Sequence, residues 1–486
     1  MKRRTVLGMA GATTLATLAQ GMPAQGMPAQ GMPAAFPGDL KGKIFRPGDP
    51  GYAAEVATFN RVRTPNPGVV VAATNARDVR AAVRYAAQRH APVAVLATGH
   101  QPSVPIGRDA VLVSTRAMRG VTVDVKRRVA RAEAGALWQQ VVDKAAPAGL
   151  APLGGSTGAI GVVGYTLGGG LSPALGRRYG YAADHVRGID VVTADGRLRT
   201  VTASSDPELF FGLRGGKSNF GLVTAIEFDL FPVSTFYGGS IMFAGADAAT
   251  LLHTYRRWVK SVPDAMSSSV ALMHFPDADG FPPPLRGKAV AGLRIAYLGD
   301  AAKGAALVRP LREVAKPIID GVSERPYAAF GAIHADPEGP VTAYERTGLL
   351  RELPAGAVDA LVEMAGPDAP FPVTMVEIRH LGGALSRSPA APSAVSQRDA
   401  AFTLFMVGMG GPELARPIRA AEDAIIRRLR PWSTGGMNLN FMSVDDADPD
   451  AVRHAYPPEV YRRLRTLKRR VDPANLFRLN HNIPPA

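Results

Sequence analysis

Cysteine is absent from the 486-residue chain. A disulfide framework, a thiolate metal site and a cysteine nucleophile are therefore excluded. No apolar run approaches the roughly 20 residues that a helix needs to cross a membrane, so we expect no membrane span in the mature protein. The nine histidines form no H-E-x-x-H pattern, and no metal site is predicted. The G-x-S-x-G signature of α/β-hydrolases is also missing.

Acidic residues are fewer than basic ones, since 41 Asp and Glu stand against 56 Lys and Arg, giving a net charge of +15. Such an excess often indicates a nucleic-acid partner. The arginines are scattered, however, in pairs such as Arg127-Arg128 and Arg427-Arg428, and form no basic stripe interleaved with aromatic residues. Nucleic acid is therefore not an expected partner. The composition is that of a soluble globular protein, and the length favours two domains.

The first 38 residues differ from the rest of the chain. A basic start that contains Arg3-Arg4 precedes a short Ala/Gly-rich apolar run to about Leu18, which is the layout of a secretory signal. The paired arginines favour the twin-arginine export machinery, with a fortuitous basic start as the alternative. Residues 20–34 repeat Gln-Gly-Met-Pro-Ala in tandem and form a low-complexity spacer. We expect residues 1–38 to be signal peptide and spacer, and the protein to be secreted or periplasmic.

Glycine is concentrated in residues 154–170, GGSTGAIGVVGYTLGGG. Because glycine loses much conformational entropy on folding, such a cluster favours a backbone that takes positive φ or lies against a ligand. A flexible linker is the alternative, but linkers rarely carry residues as easily buried as Ile160 and Tyr165. The segment predicts a ligand-binding loop.

Neither common nucleotide motif fits this chain. Gly158, Gly161 and Gly164 do not follow the G-x-G-x-x-G spacing of a dinucleotide-binding turn. Gly216-Lys217-Ser218 ends like a phosphate-binding P-loop, but Phe211 occupies the position where that motif needs its first glycine. The glycine segment therefore predicts a different cofactor.

Hydrophobic periodicity predicts an α+β fold. The apolar runs Val69–Ala72 and Pro92–Ala97 flank a helix that begins near Asn75, which is a βαβ pattern. Its second strand delivers Thr98-Gly99-His100 to the strand end, where α/β sheets usually bind ligands. Asp195-Gly196 lies between two β-rich runs and predicts a hairpin.

Five sequence blocks, in order, resemble the flavin-binding domain of the vanillyl-alcohol oxidase and berberine-bridge-enzyme-like FAD oxidoreductases. They are Thr98–His100, Gly164–Gly170, Arg178–Gly180 with Ala183-Asp184, Leu213–Gly216 with Asn219–Gly221, and Asp472–Asn475. The resemblance covers roughly residues 40–235 and 436–486. It implies a two-subdomain PCMH-type FAD-binding domain at 39–235, an inserted α+β substrate domain at 236–435, and a C-terminal berberine-bridge-like segment at 436–486 that returns to the FAD domain.

The resemblance also implies FAD as the cofactor, bonded covalently through its 8α-methyl to His100. Members with two links carry a cysteine where this chain has Thr157, so a single bond and the bacterial monocovalent type are expected. Arg178, Tyr179 and Asp184 are equally compatible with cofactor binding and with a purely structural role. The remaining implied cofactor contacts are Thr98, Gly99, Gln101, Ser156, Thr157, Gly158, Gly161, Gly164, Val223, Asn440 and Asn480.

The implied function is that of an oxidase, which takes hydride from a CH–OH or CH–NH group of a small-molecule substrate to flavin N5 and reduces O2 to H2O2. A dehydrogenase with a quinone or protein acceptor, and an exported binding protein that lost flavin chemistry, are the alternatives. Glu377, which shares a strand face with Arg379, is a candidate base, and Tyr165 and His380 could replace it. A structural Glu377–Arg379 ion pair is the competing interpretation.

Overall fold

The computed structural model describes residue 36, residues 40–369 and residues 372–486. Except for Phe36, the predicted signal peptide and spacer lie outside the described residues. Within the described part of the chain, no helix is both long and apolar enough to span a membrane.

The first sheet is built around the predicted βαβ pattern. Its elements are β1 (Lys43–Phe45), α1 (Tyr52–Val56), β2 (Val69–Ala72), α2 (Ala76–Gln88), β3 (Val93–Leu96) and β4 (Val111–Ser114). The strand order is β1-β2-β4-β3, with β2 and β3 both parallel to β4. The Asn75 side chain accepts hydrogen bonds from the amides of Arg77 and Asp78 and so caps α2, as the sequence predicts. The βαβ pattern is confirmed, and β4 lies between its two strands.

A second, antiparallel sheet has the strand order β5-β6-β10-β8-β9. Its hairpin between β8 and β9 confirms the Asp195-Gly196 prediction, and β7 pairs separately with β11. The elements of this part are β5 (Val121–Asp124), β6 (Val129–Glu133), α3 (Trp138–Ala145), β7 (Leu150–Ala151), α4 (Val162–Leu167), α5 (Gly176–Tyr179), β8 (Val186–Val192), β9 (Leu198–Val201), α6 (Pro207–Gly216), β10 (Leu222–Asp229) and β11 (Phe231–Pro232).

The largest sheet follows, with the strand order β15-β12-β14-β13-β18-β19-β17 and β16 paired to β12. All its pairings are antiparallel. Its elements are β12 (Thr235–Ala244), α7 (Ala248–Trp258), β13 (Met266–His274), β14 (Ala289–Tyr297), α8 (Ala301–Arg312), β15 (Ile319–Asp320), β16 (Ser323–Pro326), β17 (Ala343–Leu350), α9 (Ala355–Ala365), β18 (Met375–His380), β19 (Phe402–Met409) and α10 (Ala415–Leu429).

The two faces of this large sheet differ in chemistry. Alternate residues such as Leu293, Ile378 and Leu404 pack against the helices, in one core with Leu252 and Ile425. Because side chains alternate along a strand, the intervening residues point to the other face, which the helices leave uncovered. That second face carries the polar and charged side chains of the site described below.

The C-terminal segment packs on the first part of the chain. It contains α11 (Pro449–His454) and α12 (Pro458–Val471). Leu464 and Leu467 of α12 share a core with Leu209 of α6 and Phe220. The buried Lys468 Nζ also donates to the carbonyl of Asn219 at 2.7 Å, which fixes α12 against the segment before β10.

Candidate active site

A cavity of about 1190 Å³ lies between the loop after β3, the glycine segment, the C-terminal segment and the uncovered face of the large sheet. Small-molecule pockets usually measure about 300–1,000 Å³. The cavity therefore has room for a large cofactor together with a substrate.

Most of the residues predicted to contact a cofactor meet at this cavity. Gly158 is the exception, because it faces Gln139, whose amide donates to its carbonyl at 3.0 Å. The predicted contacts that line the cavity are Thr98, Gly99, His100, Gln101, Ser156, Thr157, Gly161, Gly164, Val223, Asn440 and Asn480.

The backbone of the two loops needs glycine for two different reasons. Gly99 has φ +73, and a Cβ there would lie 2.8 Å from the Cα of Thr58. Gly164 borders the cavity, and a Cβ there would meet no protein atom within 4 Å. The first glycine is required by chain geometry, whereas the second leaves space that a ligand can occupy.

His100 lies at the cavity wall, where its ring stacks on Phe59 with centroids 4.0 Å apart. Its Nε2 is buried and has no hydrogen-bond partner among the described residues. Burial lowers the pKa of His100 to about 4. The imidazole is therefore neutral near pH 7 and keeps a lone pair available for a bond.

Gln101 and Asn440 use their side chains to join segments of the protein. The Gln101 amide donates to the carbonyls of Leu439 at 2.9 Å and Met442 at 2.6 Å. Asn440 donates to the Tyr165 carbonyl at 3.0 Å and accepts from the Gly170 amide at 2.8 Å. Both residues border the cavity, but their amides hold the C-terminal segment against the two cofactor loops.

Tyr165 is the one of the three candidate catalytic residues that lines the large cavity. Its hydroxyl donates to the Gly154 carbonyl at 3.1 Å, and its ring meets Trp138 edge-on at 5.6 Å. Burial raises the pKa of Tyr165 well above 10. The phenol therefore stays protonated and serves as a donor.

Glu377 is a buried counter-ion that does not line the large cavity, so the geometry does not favour its predicted role as a base. The carboxylate is fully buried and accepts from Ser269 at 2.6 Å, from Arg294 at 2.7 Å and from Arg379 at 2.8 Å. These cations hold the pKa of Glu377 well below its usual range despite burial. A carboxylate so strongly stabilised is a weak base, so the geometry favours the structural ion pair.

His380 does not line the large cavity either, so the geometry does not favour its predicted role as a base. It lines a separate cavity of about 20 Å³, with its Nε2 3.1 Å from a guanidinium nitrogen of Arg177. Burial and Arg177 lower the pKa of His380 to about 3. The ring is therefore neutral near pH 7, and it lines the small cavity and not the large one.

Within the block from Arg178 to Asp184, Asp184 and Tyr179 make contacts that stabilise the fold. Asp184 forms a buried ion pair with Arg398 at 2.6 Å, and Tyr179 packs on Phe231 with ring centroids 4.1 Å apart. Neither Asp184 nor Tyr179 lines the large cavity.

Several residues at the cavity were not predicted from the sequence. Lys217 donates to the side-chain oxygen of Gln101, has no ion-pair partner among the described residues, and has its pKa lowered to about 7 by burial. Burial raises the pKa of Glu345 to about 8. Arg294 and His334 line the cavity as well. Of these residues, only Arg294 could have been singled out from the sequence, because it is the one charged residue of the apolar strand β14.

These features fit FAD. The dinucleotide's phosphates supply the negative charge that Lys217 lacks, and glycine-rich loops present backbone amides to such anions. His100, whose Nε2 has no partner among the described residues, lines the same cavity. No group of His, Asp or Glu in the described ranges is arranged to hold a metal ion.

Comparison with known proteins supports the same assignment. A family model described as FAD binding domain matches residues 67–202, and one described as berberine and berberine like matches residues 439–484. (R)-6-hydroxynicotine oxidase of Paenarthrobacter nicotinovorans is 27% identical over 474 residues, spanning 93% of this chain and 98% of that protein. The uncharacterized FAD-linked oxidoreductase YgaK of Bacillus subtilis strain 168 is 25% identical, spanning 92% of this chain and 97% of its own.

Solved structures share the fold. The crystal structure of 6-hydroxy-D-nicotine oxidase from Arthrobacter nicotinovorans superposes with a TM-score of 0.79 at 24% identity, over 92% of this chain and 99% of that chain. Xylooligosaccharide oxidase from Myceliophthora thermophila C1, in complex with xylobiose, gives 0.78 at 20% identity, over 92% and 98% of the two chains. At these identities the likeness concerns the fold.

Together, the fold and the cavity define an enzyme that binds FAD and carries out oxidation and reduction. The two matched family models and the relatives support an FAD-linked oxidoreductase similar to those of the vanillyl-alcohol oxidase and berberine-bridge-enzyme-like family. The expected α+β fold of the PCMH type is confirmed, as is FAD as the cofactor.

Proposed function

We propose that this enzyme is an oxidase that holds FAD through one covalent bond to His100 and oxidises a CH–OH or CH–NH group of a small molecule with O2 as acceptor. The named oxidases among its relatives support this direction of chemistry. Bound in the cavity, FAD supplies the ring that accepts the substrate's hydride. The protein's residues bind and orient the substrate and exchange its proton.

The observation that carries the proposal is the state of His100. Bond formation to a carbon atom needs an unprotonated nitrogen with no competing hydrogen bond. His100 meets both conditions, because its pKa is lowered to about 4 and its Nε2 has no partner among the described residues. Stacking on Phe59 fixes the ring plane, which favours one attachment geometry.

Two side chains on the cavity are suited to proton exchange with the substrate. Tyr165 stays protonated and donates to the Gly154 carbonyl, so its oxygen can accept a hydrogen bond from a substrate hydroxyl or amine. Glu345 has its pKa raised to about 8, so it is mostly protonated at neutral pH but close enough to that range to exchange a proton with the substrate. Thr157 also lines the cavity and offers no thiol, which is consistent with a single covalent bond.

Acid precipitation tests the covalent bond. The wild-type pellet should stay yellow and yield a flavin-bearing tryptic peptide that contains His100, whereas His100→Ala should release FAD into the supernatant. His454→Ala, which removes an exposed histidine, is the matched control and should retain the flavin. Flavin that resists extraction from His100→Ala would show that His100 is not the attachment residue.

Oxygen consumption tests the acceptor. A panel of alcohols and amines should reduce the bound flavin anaerobically, and admitting air should restore its colour with stoichiometric H2O2. Rapid reoxidation by a quinone, with little reaction in air, would assign the enzyme to the dehydrogenases.

We further propose export by the twin-arginine route to a secreted or periplasmic location. The basic start with Arg3-Arg4 and the apolar run after it support this route. A system that exports folded proteins also suits an enzyme that must load its cofactor before leaving the cytoplasm.

A further inference from the structure

The register of the large sheet places two arginines on one row. Ser269 of β13 is the cross-strand partner of Arg294 on β14 and also of Arg379 on β18. Both arginines line the large cavity. Because side chains opposite each other point to the same face, the two guanidinium groups flank Ser269 on the uncovered face of the sheet.

The charges in this cluster do not cancel. Among the described residues, Glu377 is the one carboxylate paired with the two guanidinium groups, at 2.7 Å from Arg294 and 2.8 Å from Arg379. His334, 3.4 Å from Glu377, is kept neutral because burial and the two arginines lower its pKa. The cluster therefore carries one unbalanced positive charge.

Unused hydrogen-bond donors accompany this charge. The Nε of Arg294 is buried and has no partner in the described part of the chain, and the residue is only 4% exposed. Arg379 binds Glu377 through Nε and Nη2 and lines the cavity, and its Nη1 donates to no described residue. A buried cation with unsatisfied donors is costly unless an anion approaches it.

An apolar wall adjoins the cluster. The Arg379 guanidinium lies 4.9 Å from the ring centre of Phe441, and Phe441 stacks on Phe405 with centroids 4.4 Å apart. The Met375 sulfur is 3.7 Å from Arg294. Phe405, Phe441 and Met375 line the same cavity, so a ligand anion held by the arginines would have its body against aromatic rings and a thioether.

We propose that Arg294 and Arg379 form a subsite for the carboxylate of a substrate with a flat, apolar body, such as an aromatic acid. The inference rests on the proposed function in taking this cavity as the substrate site. The carboxylate would accept hydrogen bonds from the guanidinium groups, while Glu377 holds both arginines in place.

Binding of benzoate and benzamide to the purified holoenzyme tests the subsite, because the two probes differ in charge and share a shape. Isothermal calorimetry and the perturbation of flavin absorbance should show benzoate binding at least about tenfold more tightly, as expected for charge-assisted hydrogen bonds. Equal affinities, or no binding of benzoate, would overturn the proposal. Calorimetry gives this result whether or not any alcohol or amine is oxidised, so it separates failure of the subsite from failure of the oxidase proposal.

Three variants test whether Arg379 and Glu377 cause the difference in affinity between benzoate and benzamide. Arg379→Met should weaken benzoate binding about tenfold or more and leave benzamide binding nearly unchanged. Glu377→Gln removes the counter-charge, so it should tighten benzoate binding, which a purely structural role for the cluster does not predict. Arg346→Met is the matched control, because Arg346 also forms two ion pairs, with Asp423 and Asp446, and does not line the cavity.

A second readout separates a substrate subsite from an effect on the flavin itself. If Arg379→Met lowers the flavin midpoint potential but leaves benzoate affinity at the wild-type value, the arginine acts on the cofactor and the proposal is wrong. Wild-type circular dichroism and melting temperature should be retained in every variant used, and the wild-type comparison of benzoate with benzamide needs no variant.

Discussion

Replacing Glu345 with Gln should make the protein more stable at neutral pH. Glu345 lies on β17 at the cavity wall, where its carboxyl accepts one long hydrogen bond, 3.4 Å from the Asn60 amide. Burial raises the pKa of this carboxyl to about 8 from its usual 4.5. Glutamine keeps the shape and can accept the same hydrogen bond, but it never ionises.

The magnitude follows from proton linkage. At pH 7 the unfolded chain has an ionised Glu345, and folding must protonate it across the interval from 4.5 to 7. At about 1.4 kcal/mol per pKa unit, this interval costs about 3 kcal/mol of folding free energy. Because the side chain borders a cavity that admits water, we expect about half of that value to be observed.

The sign of the pH dependence is equally definite. A carboxyl with a raised folded pKa destabilises the folded state least below pH 4.5 and increasingly as the pH rises towards 8. The stability of Glu345→Gln relative to wild type should therefore grow by about 1.5 kcal/mol between pH 5 and pH 8. Other titrating groups are common to both proteins and cancel in the difference.

Urea unfolding at pH 5, 6, 7 and 8 measures this difference through the midpoint and the slope of each transition. Glu352→Gln, at an exposed position just after β17, is the matched control and should show no such trend. Parallel pH profiles for wild type and Glu345→Gln would refute the reasoning, because they would mean that Glu345 is already ionised in the folded protein at neutral pH.

Two further predictions concern the ends of the chain. Lys468→Met should destabilise the protein by about 3–5 kcal/mol in urea unfolding, because it leaves the buried Asp472 carboxylate, 2.7 Å from Nζ, without its cation. The double variant Lys468→Met with Asp472→Asn should recover part of this loss. Wild-type stability of the single variant would contradict the argument. Replacing Arg3 and Arg4 together by Lys should retain the enzyme in the cytoplasm on cell fractionation; continued export would exclude the twin-arginine route.

Most of the residues that local sequence signals predicted as cofactor contacts line one cavity. The strand before Thr98 ends where expected, and the glycine segment does line the cavity. Such features are readable because a glycine at positive φ or a strand followed by a loop depends on few neighbours in sequence. Gly158 was misplaced because three evenly spaced glycines do not reveal which of them faces a ligand.

The substrate end was less predictable. The strand alternation of β18 correctly put Glu377 and Arg379 on one face, but it could not show that Arg294, far away in the sequence, would share the same carboxylate. That contact decides whether Glu377 is a base or a counter-ion. Likewise, nothing local to Lys217 or Glu345 shows that each lies at the cavity wall without a charged partner.

The sequence by itself thus predicted the α+β fold, the flavin cofactor and a ligand-binding loop at His100, because these depend on short sequence blocks, on their order and on the backbone conformations that they require. Only the tertiary structure decided the charge balance at the substrate end, because that balance depends on which side chains from separate strands are brought within a few ångströms inside a region that excludes most water.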